Sequence, residues 1–132
     1  MTPHKTVFIA DDDSEDRSFI SDAIKEEDAS IDVIEVENGA ELLDILKQEG
    51  TPEPSLIVVD MNMPKMNGLE TITAIKSDSK LSAIPAVMVT TSSDPLLSLK
   101  AYKFGIADFF VKPYSFQGYR EMVIQLKYKY LS

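Results

Sequence analysis

The 132-residue sequence contains no cysteine, which excludes disulfide bonds, thiolate zinc sites, iron–sulfur clusters and cysteine nucleophiles. It also lacks excess positive charge, because 13 lysines and arginines stand against 22 aspartates and glutamates. The net charge of −9 makes nucleic acids and anionic membranes poor partners. No apolar run approaches the ~20 residues that cross a bilayer, and the N-terminal run is too short for a secretory signal. We therefore expect a cytoplasmic protein.

The composition is that of one folded domain. Apolar residues make up 44% of the chain and charged residues 27%, a balance typical of globular rather than disordered proteins. The length suits one ordinary domain and is too small for two. No repeat, linker or low-complexity segment interrupts the chain. We predict a single domain over residues 1–132, with its core at about 5–131 and no output domain attached.

Short apolar segments alternate with amphipathic ones along the chain. The predicted strands are residues 7–10, 31–36, 56–59, 86–89 and 109–111. Most of them are apolar throughout, which is typical of strands buried on both faces. A helical pattern follows each strand, and the last helix is predicted from about Ser115 to near Tyr130. This alternation predicts an α/β domain with a doubly wound, five-stranded parallel sheet and helices on both faces.

Polar residues with matching chemistry follow four of the predicted strands. Asp11 and Asp12 come after the first strand, Asp60 after the third, Thr90 after the fourth and Lys112 after the fifth. In an open parallel sheet, sites form beyond these carboxyl ends. Three neighbouring carboxylates stay ionised together only beside a cation, and oxygen ligands favour Mg²⁺. With a hydroxyl and an ammonium nearby, the set describes a site at which a carboxylate is phosphorylated.

Four sequence motifs contain these residues: IADDD at 9–13, VVDMNMPKMNG at 58–68, VT at 89–90 and VKP at 111–113. In this order and spacing the chain resembles, over essentially its whole length, the receiver domain of two-component response regulators. The resemblance is greatest to the stand-alone, chemotaxis-type regulators. It implies a flavodoxin-like sheet and a phosphorelay protein whose Asp60 accepts phosphate from a histidine kinase or histidine phosphotransfer protein. It also implies a signalling domain that catalyses only its own phosphotransfer and slow self-dephosphorylation.

The resemblance implies a metal site as well. Asp12 and Asp60 would bind Mg²⁺ directly, and Asp11 would bind it through a water molecule. The backbone carbonyl of Asn62 would complete the ligands that the protein supplies. Mg²⁺ is the cofactor that we expect on this basis.

The resemblance further implies a conformational switch. Thr90 would turn inward to bond the phosphoryl group, and Lys112 would pair with it. The ring of Phe109 would then turn into the vacated space and remodel a protein-binding face made by the fourth helix, fifth strand and fifth helix. We expect an unidentified downstream protein to bind there, and homodimerisation is plausible, although a monomer is equally compatible with the sequence. The family often has a cis peptide bond before the proline, which we expect at Lys112–Pro113.

Three residues depart from the commonest family pattern. One is Asn67, which stands where aspartate is frequent but occupies a turn position that asparagine serves equally well. The other two are Phe109 and Thr91. Phe109 stands where tyrosine is frequent, so the switch ring has no hydroxyl group. Thr91 stands where a smaller alanine or serine is usual, which could hinder access of phosphate or of a partner. Both differences bear on the coupling of phosphorylation to output, and neither removes a required chemical group.

Other notable residues have simpler interpretations. Asp13, Glu15 and Asp16 are interpreted as the solvated start of a helix, since charged runs usually occupy such positions. His4 is expected to be exposed and inert. The aromatic residues concentrated between positions 102 and 130 are expected to lie partly in the core and partly at an interface.

Two alternative functions remain open on the residues alone. A Mg²⁺-dependent phosphohydrolase would also use Asp60 as a nucleophile. It would need a second acid–base carboxylate close by and a cap over its substrate, whereas residue 62 is asparagine and no long insertion is present. A degenerate receiver would act as an unphosphorylated binding module. The complete set of site residues argues against such a module, and a Mg²⁺ titration would distinguish it from a phosphorylatable receiver.

Overall fold

The computed structural model describes residues 4–132, so residues 1–3 of the predicted domain lie outside the described residues. Within this range, five strands alternate with five helices. The elements are β1 Thr6–Ala10, α1 Ser14–Glu27, β2 Asp32–Val36, α2 Gly39–Leu46, β3 Leu56–Val59, α3 Gly68–Ser77, β4 Ala86–Thr90, α4 Pro95–Phe104, β5 Asp108–Val111 and α5 Phe116–Tyr130. No helix in residues 4–132 is long and apolar enough to cross a membrane.

The strands form one parallel sheet in the order β2-β1-β3-β4-β5. Helices α1 and α5 cover one face, and α2, α3 and α4 cover the other. The strand order reverses at β1, because β2 lies on one side of it and β3 on the other. A crevice therefore opens beyond the carboxyl ends of β1 and β3, where parallel sheets of this kind bind ligands. The predicted doubly wound α/β fold is confirmed.

The central strands β1, β3 and β4 are almost entirely apolar because both of their faces are buried. In β1, Val7 and Ile9 join the core beneath α1 and α5. Phe8 and Ala10, which alternate with them, join the core beneath α2, α3 and α4. A strand with helices on both faces has no side on which polar residues would be solvated. This is the physical reason why continuous apolar runs predicted these strands correctly.

No predicted strand boundary differs from the observed one by more than a single residue. Strand β1 begins one residue earlier, at Thr6, and β4 includes Thr90 as its last residue. These positions hold polar residues that pair in the sheet, so a search for apolar runs leaves them out. Ser115 precedes α5 as its N-cap, and its hydroxyl accepts a hydrogen bond from the backbone N–H of Gly118 at 3.1 Å.

Tyr130 fixes the end of α5 to the start of β5. Its hydroxyl donates a hydrogen bond to Asp108 Oδ2 at 2.9 Å, and Lys129 Nζ donates to the same oxygen at 2.8 Å. Burial, together with the bond to Asp108, raises the pKa of Tyr130 to about 12. The neutral phenol is therefore the form that the folded state favours.

Tyr130→Phe is expected to lower the free energy of unfolding near neutral pH by about 1 kcal/mol, since it removes one hydrogen bond to a charged acceptor that is partly solvated. The folded pKa lies above the unfolded value of about 10, so this stabilisation is full below pH ~10. It is lost as the pH rises through about 12. Urea unfolding of both proteins at neutral and strongly alkaline pH measures the difference. A difference that does not shrink at alkaline pH contradicts the expectation.

Candidate functional site

Asp11 and Asp60 occupy equivalent positions at the ends of two adjacent strands. Ala10, the last residue of β1, is paired with Val59, the last residue of β3. The backbone N–H of Asp60 donates to the carbonyl of Ala10 at 3.0 Å. Because the ladder extends one residue past the strands, both carboxylates emerge at the same point of the crevice.

Three carboxylates meet at this point. Asp11, Asp12 and Asp60 each place one oxygen within 4.8 Å of the others. Asp11 and Asp60 are buried, with exposed fractions of 2% and 6%, whereas Asp12 is exposed. The cluster thus has two buried members and one that is open to solvent, which leaves a path for a ligand to enter.

Lys112 brings a positive charge to the same cluster. It follows β5 directly, it is 8% exposed, and its backbone N–H donates to the carbonyl of Thr90 at 2.8 Å. Its Nζ lies 3.2 Å from Asp60 Oδ2 and 2.9 Å from Asp11 Oδ2. The structure therefore brings together the residues that follow the first, third and fifth strands along the chain.

The pKa values of the cluster reflect burial and the shared ammonium. Burial raises the pKa of Asp11 to about 6, and its bond to Lys112 opposes this rise. Burial acts to lower the pKa of Lys112, but bonds to Asp16 and Asp11 outweigh it and raise the pKa above the ordinary value. The site thus holds a cation, Lys112, beside Asp11, a carboxylate whose ionisation is disfavoured by burial.

The donor set fits a divalent cation. Asp60 Oδ1 is a buried oxygen for which the described residues offer no hydrogen-bond partner. A buried and unpaired carboxylate oxygen is costly, and a cation would remove that cost. The candidate ligands are all oxygens, the ligand type that Mg²⁺ and Mn²⁺ accept. The chain therefore supplies both the geometry and the chemistry of a metal site.

The loop between β3 and α3 is held against Asp60 by a glycine. The backbone N–H of Gly68 donates to the carbonyl of Met61 at 2.9 Å. A Cβ atom at position 68 would lie 2.5 Å from the carbonyl oxygen of Asp60, so only glycine fits without a shift of backbone. Asn67 caps α3 in a reciprocal pair with Glu70. Asn62, the remaining predicted metal-binding residue, lies exposed in this loop.

Thr90 lies on β4, the strand next to β3, and Phe109 lies on β5, the edge strand next to β4. Thr90 is fully buried at the end of β4, and its Oγ1 accepts a long hydrogen bond of 3.5 Å from the backbone N–H of Ser92. Phe109 is half-buried, is paired with Met88 of β4 and packs against the core beneath α4. Thr90 is thus adjacent to Lys112 through the backbone, whereas Phe109 lies on the edge strand, with β4 between it and β3.

The peptide bond between Lys112 and Pro113 is trans, because residues 4–132 contain no cis peptide bond. The prediction of a cis bond is wrong for this structure. The trans form is favoured even before proline by about 0.5–1 kcal/mol, so it is the form found unless local packing selects the other.

The sequence matches the family model of the response regulator receiver domain over residues 7–124. The chain belongs to this family. Chemotaxis protein CheY1 of Helicobacter pylori is 34% identical over 90 residues, which make up 68% of this chain and 71% of that protein. Response regulator Rcp1 of Synechocystis is 26% identical over 125 residues, which make up 92% of this chain and 85% of that protein.

Solved receiver structures share the fold. The phosphorylated cyanobacterial phytochrome response regulator RcpA superposes with a TM-score of 0.91 at 29% identity, covering 98% of this chain and 96% of that one. The Mn²⁺-bound form of Rcp1 superposes with a TM-score of 0.84 at 25% identity, covering 95% of this chain and 93% of that one.

Membership in the receiver family establishes the general role of the chain. Receiver domains are phosphoacceptor signalling domains rather than classical enzymes. They interact with histidine kinases and with downstream targets, and they bind a divalent metal at an acidic pocket. The acidic cluster described above has the composition of such a pocket.

Asp16 is the site residue of this receiver that sequence reasoning missed. The acidic run predicts a solvated helix start at this position, but Lys112 Nζ donates to Asp16 Oδ2 at 2.7 Å and the side chain of Asp16 is only 23% exposed. A signal was present, because Phe19 and Ile20 follow Asp16 by three and four residues on the buried stripe of α1. Residues with that spacing share a helix face, so Asp16 faces the sheet rather than solvent.

Proposed function

We propose that this receiver accepts a phosphoryl group on Asp60 from a histidine kinase or a histidine phosphotransfer protein. The observation that carries the proposal is the position of Lys112 Nζ, 3.2 Å from Asp60 Oδ2, inside a cluster of carboxylates that fits a divalent cation. In the transfer, a carboxylate oxygen of Asp60 forms a bond to phosphorus while the nitrogen–phosphorus bond of the donor breaks. The donor imidazole keeps the electron pair.

The proposed metal is Mg²⁺. Asp12 and Asp60 would hold it directly, Asp11 through water, and Asn62 through its backbone carbonyl. When bound, it would neutralise charge on the phosphoryl oxygens. The three clustered carboxylates and the unpaired oxygen of Asp60 support this assignment.

The residues of the chain itself bind and orient the phosphoryl group. The ammonium of Lys112 lies where it can pair with a phosphoryl oxygen as negative charge builds up during transfer. The hydroxyl of Thr90 can donate to a second oxygen, since its one hydrogen bond in the structure is one that it accepts. Burial of Asp11 and Asp60 keeps bulk water from the reacting oxygen.

The proposed output is a change in a protein-binding face, coupled through Thr90 and Phe109. Exposed large apolar side chains concentrate on α4, β5 and α5 and on the loop between the last two. They are Leu96, Leu99, Tyr102, Phe104, Val111, Tyr114, Ile124 and Tyr128. Exposed apolar side chains are typical of interaction sites, so their concentration in this segment of the chain supports binding of a downstream protein or of a second copy of the chain. The stand-alone organisation of the chain stays a prediction.

Incubation with Mg²⁺ and acetyl phosphate, followed by intact-mass spectrometry, tests the proposed phosphorylation. We expect a mass increase of one phosphoryl group, which is acid-stable, base-labile and abolished by chelation of the metal. Absence of the increase in the folded wild-type protein would remove the proposal. Rapid and sustained turnover of a small phosphate ester would instead favour a phosphohydrolase, and Mg²⁺ binding without labelling would favour a pure binding module.

A further inference from the structure

Three carboxylates surround the ammonium of Lys112, which donates hydrogen bonds to Asp16 and Asp60 and forms an ion pair with Asp11. Its Nζ lies 2.7 Å from Asp16 Oδ2, 2.9 Å from Asp11 Oδ2 and 3.2 Å from Asp60 Oδ2. An ammonium group has three N–H donors and accepts none. To bond a phosphoryl oxygen, Lys112 must therefore release one of these carboxylates. The longest contact, and so the weakest, is the one to Asp60.

Asp16 differs from the other two carboxylates in its position. Asp11 and Asp60 belong to the group of oxygens within 4.8 Å of one another that fits a metal, and Asp16 is outside that group. Asp11 and Asp60 follow strands, whereas Asp16 lies in the first turn of α1. A bound cation would thus compete with Lys112 for the oxygens of Asp11 and Asp60. Of the three carboxylates, only Asp16 would then still be paired with the ammonium of Lys112.

The first turn of α1, which carries Asp16, is held in place by two contacts. The side chain of Asp13, the N-cap of α1, accepts a hydrogen bond from the backbone N–H of Asp16 at 3.1 Å. One turn later, the ring of Phe19 packs on the ring of Tyr119 from α5, with centroids 5.5 Å apart. The first turn of α1 is therefore fixed relative to α5 and to the segment that contains Lys112.

We propose that Asp16 is a positioning residue that holds the ammonium of Lys112 at the rim of the cluster. In this position the ammonium stays beside Asp60 when Asp11 and Asp60 turn to a metal, and one N–H becomes available for the phosphoryl group. This inference rests on the proposed function. It adds a residue that acts through Lys112 and does not itself touch phosphate or metal.

Mg²⁺ affinity, measured by calorimetry, tests the inference without any phosphorylation. Without Asp16, the ammonium would bond only to carboxylates that the metal also needs. Asp16→Asn is therefore expected to weaken Mg²⁺ binding about fivefold, whereas the same change in a Lys112→Met background weakens it less than about twofold. The smaller effect is the loss of one nearby negative charge, which both backgrounds share. Asp16→Glu, which keeps the carboxylate, is expected to restore most of the affinity.

The kinetics of phosphorylation by acetyl phosphate give a second readout at saturating Mg²⁺. If Asp16 acts through Lys112, Asp16→Asn lowers the maximal rate about tenfold because the ammonium is misplaced in the transition state. If the loss of a negative charge were the only effect of the substitution, the kinetics would change in the opposite direction. It would lower the half-saturating concentration of the anionic donor and would not slow the maximal rate. This comparison needs no Lys112 variant.

The matched control is Glu15→Gln, which makes the same change of charge at the neighbouring, exposed position of α1. Thermal unfolding of each variant shows that it is folded. Equal behaviour of Asp16→Asn and Glu15→Gln in both measurements would overturn the inference. If the wild-type protein takes up no phosphoryl group, the proposed function fails. Even then, the positioning role would be tested by Mg²⁺ affinity, through the difference between the effect of Asp16→Asn in the wild-type background and its effect in the Lys112→Met background.

Discussion

Asp60→Asn is expected to lose phosphorylation completely while its free energy of unfolding stays within about 1 kcal/mol of the wild-type value. An amide is not a nucleophile for phosphoryl transfer, so no acyl phosphate can form at this position. The fold is expected to tolerate the change because Asp60 carries a buried oxygen without a partner. Lys112 also keeps two other carboxylate partners, Asp11 and Asp16.

Intact-mass spectrometry after incubation with Mg²⁺ and acetyl phosphate measures the first effect, and urea unfolding measures the second. Asp44→Asn is a suitable control, because Asp44 is an exposed carboxylate on α2, away from the strand ends. It is expected to be phosphorylated like the wild type. Labelling of Asp60→Asn to the wild-type level would mean that another residue is the acceptor.

Lys112→Met is expected to lower the free energy of unfolding by about 3 kcal/mol, because it leaves buried carboxylates without their counter-charge. Three carboxylates lose a partner in this variant, and two of them, Asp11 and Asp60, are almost fully buried. Millimolar Mg²⁺ is expected to restore part of the loss, since binding to the folded state stabilises it. Phosphorylation by acetyl phosphate is expected to slow about a hundredfold, as for the loss of one preorganised electrostatic donor.

Urea unfolding with and without Mg²⁺ measures this prediction. Lys127→Met is the matched control, because Lys127 forms a half-exposed ion pair, with its Nζ 3.9 Å from Asp28 Oδ2. Such pairs contribute about 0–1 kcal/mol, so this variant is expected to stay close to the wild type. If both substitutions destabilise the protein equally, Lys112 does not stabilise the fold as the counter-charge of the buried carboxylates.

Much of the site could be predicted from the sequence because of a property of parallel sheets. The strands were recognisable as apolar runs, and the first polar residue after each run had to emerge at the same edge. Asp11, Asp60 and Lys112 were therefore expected to meet, and they do. Their roles in phosphotransfer stay predictions until phosphorylation is measured.

The contacts of Asp16 and the geometry of the Lys112–Pro113 peptide bond could not be predicted from the sequence in this way. Asp16 lies among several acidic residues, and only its register on α1 turns it towards Lys112. Along the chain, Asp16 is four positions from Asp12 but 96 positions from Lys112, to which it is hydrogen-bonded. The trans peptide bond at Pro113 is a choice between two forms of similar energy, and no local pattern in the sequence decides it.

For the aromatic residues of the C-terminal segment, too, only part of the outcome could be predicted from the sequence. Their concentration predicted that some would be buried and some exposed, which the structure confirms. Tyr119 is 3% exposed and Tyr128 is 82% exposed, although both lie on α5. Tyr119 faces α1 and the sheet, whereas Tyr128 faces solvent. Which ring belongs to which surface depends on how α5 packs.

The succession of strands and helices along the chain and the residues at the strand ends could be recognised from the amino-acid sequence, because alternation and apolar runs are local properties. The tertiary structure decided which of the clustered acids reach Lys112 and which aromatic rings face solvent. Those outcomes depend on the packing of α1 and α5 against the sheet. Contacts between residues far apart in the chain are set by such packing and leave no local pattern in the sequence.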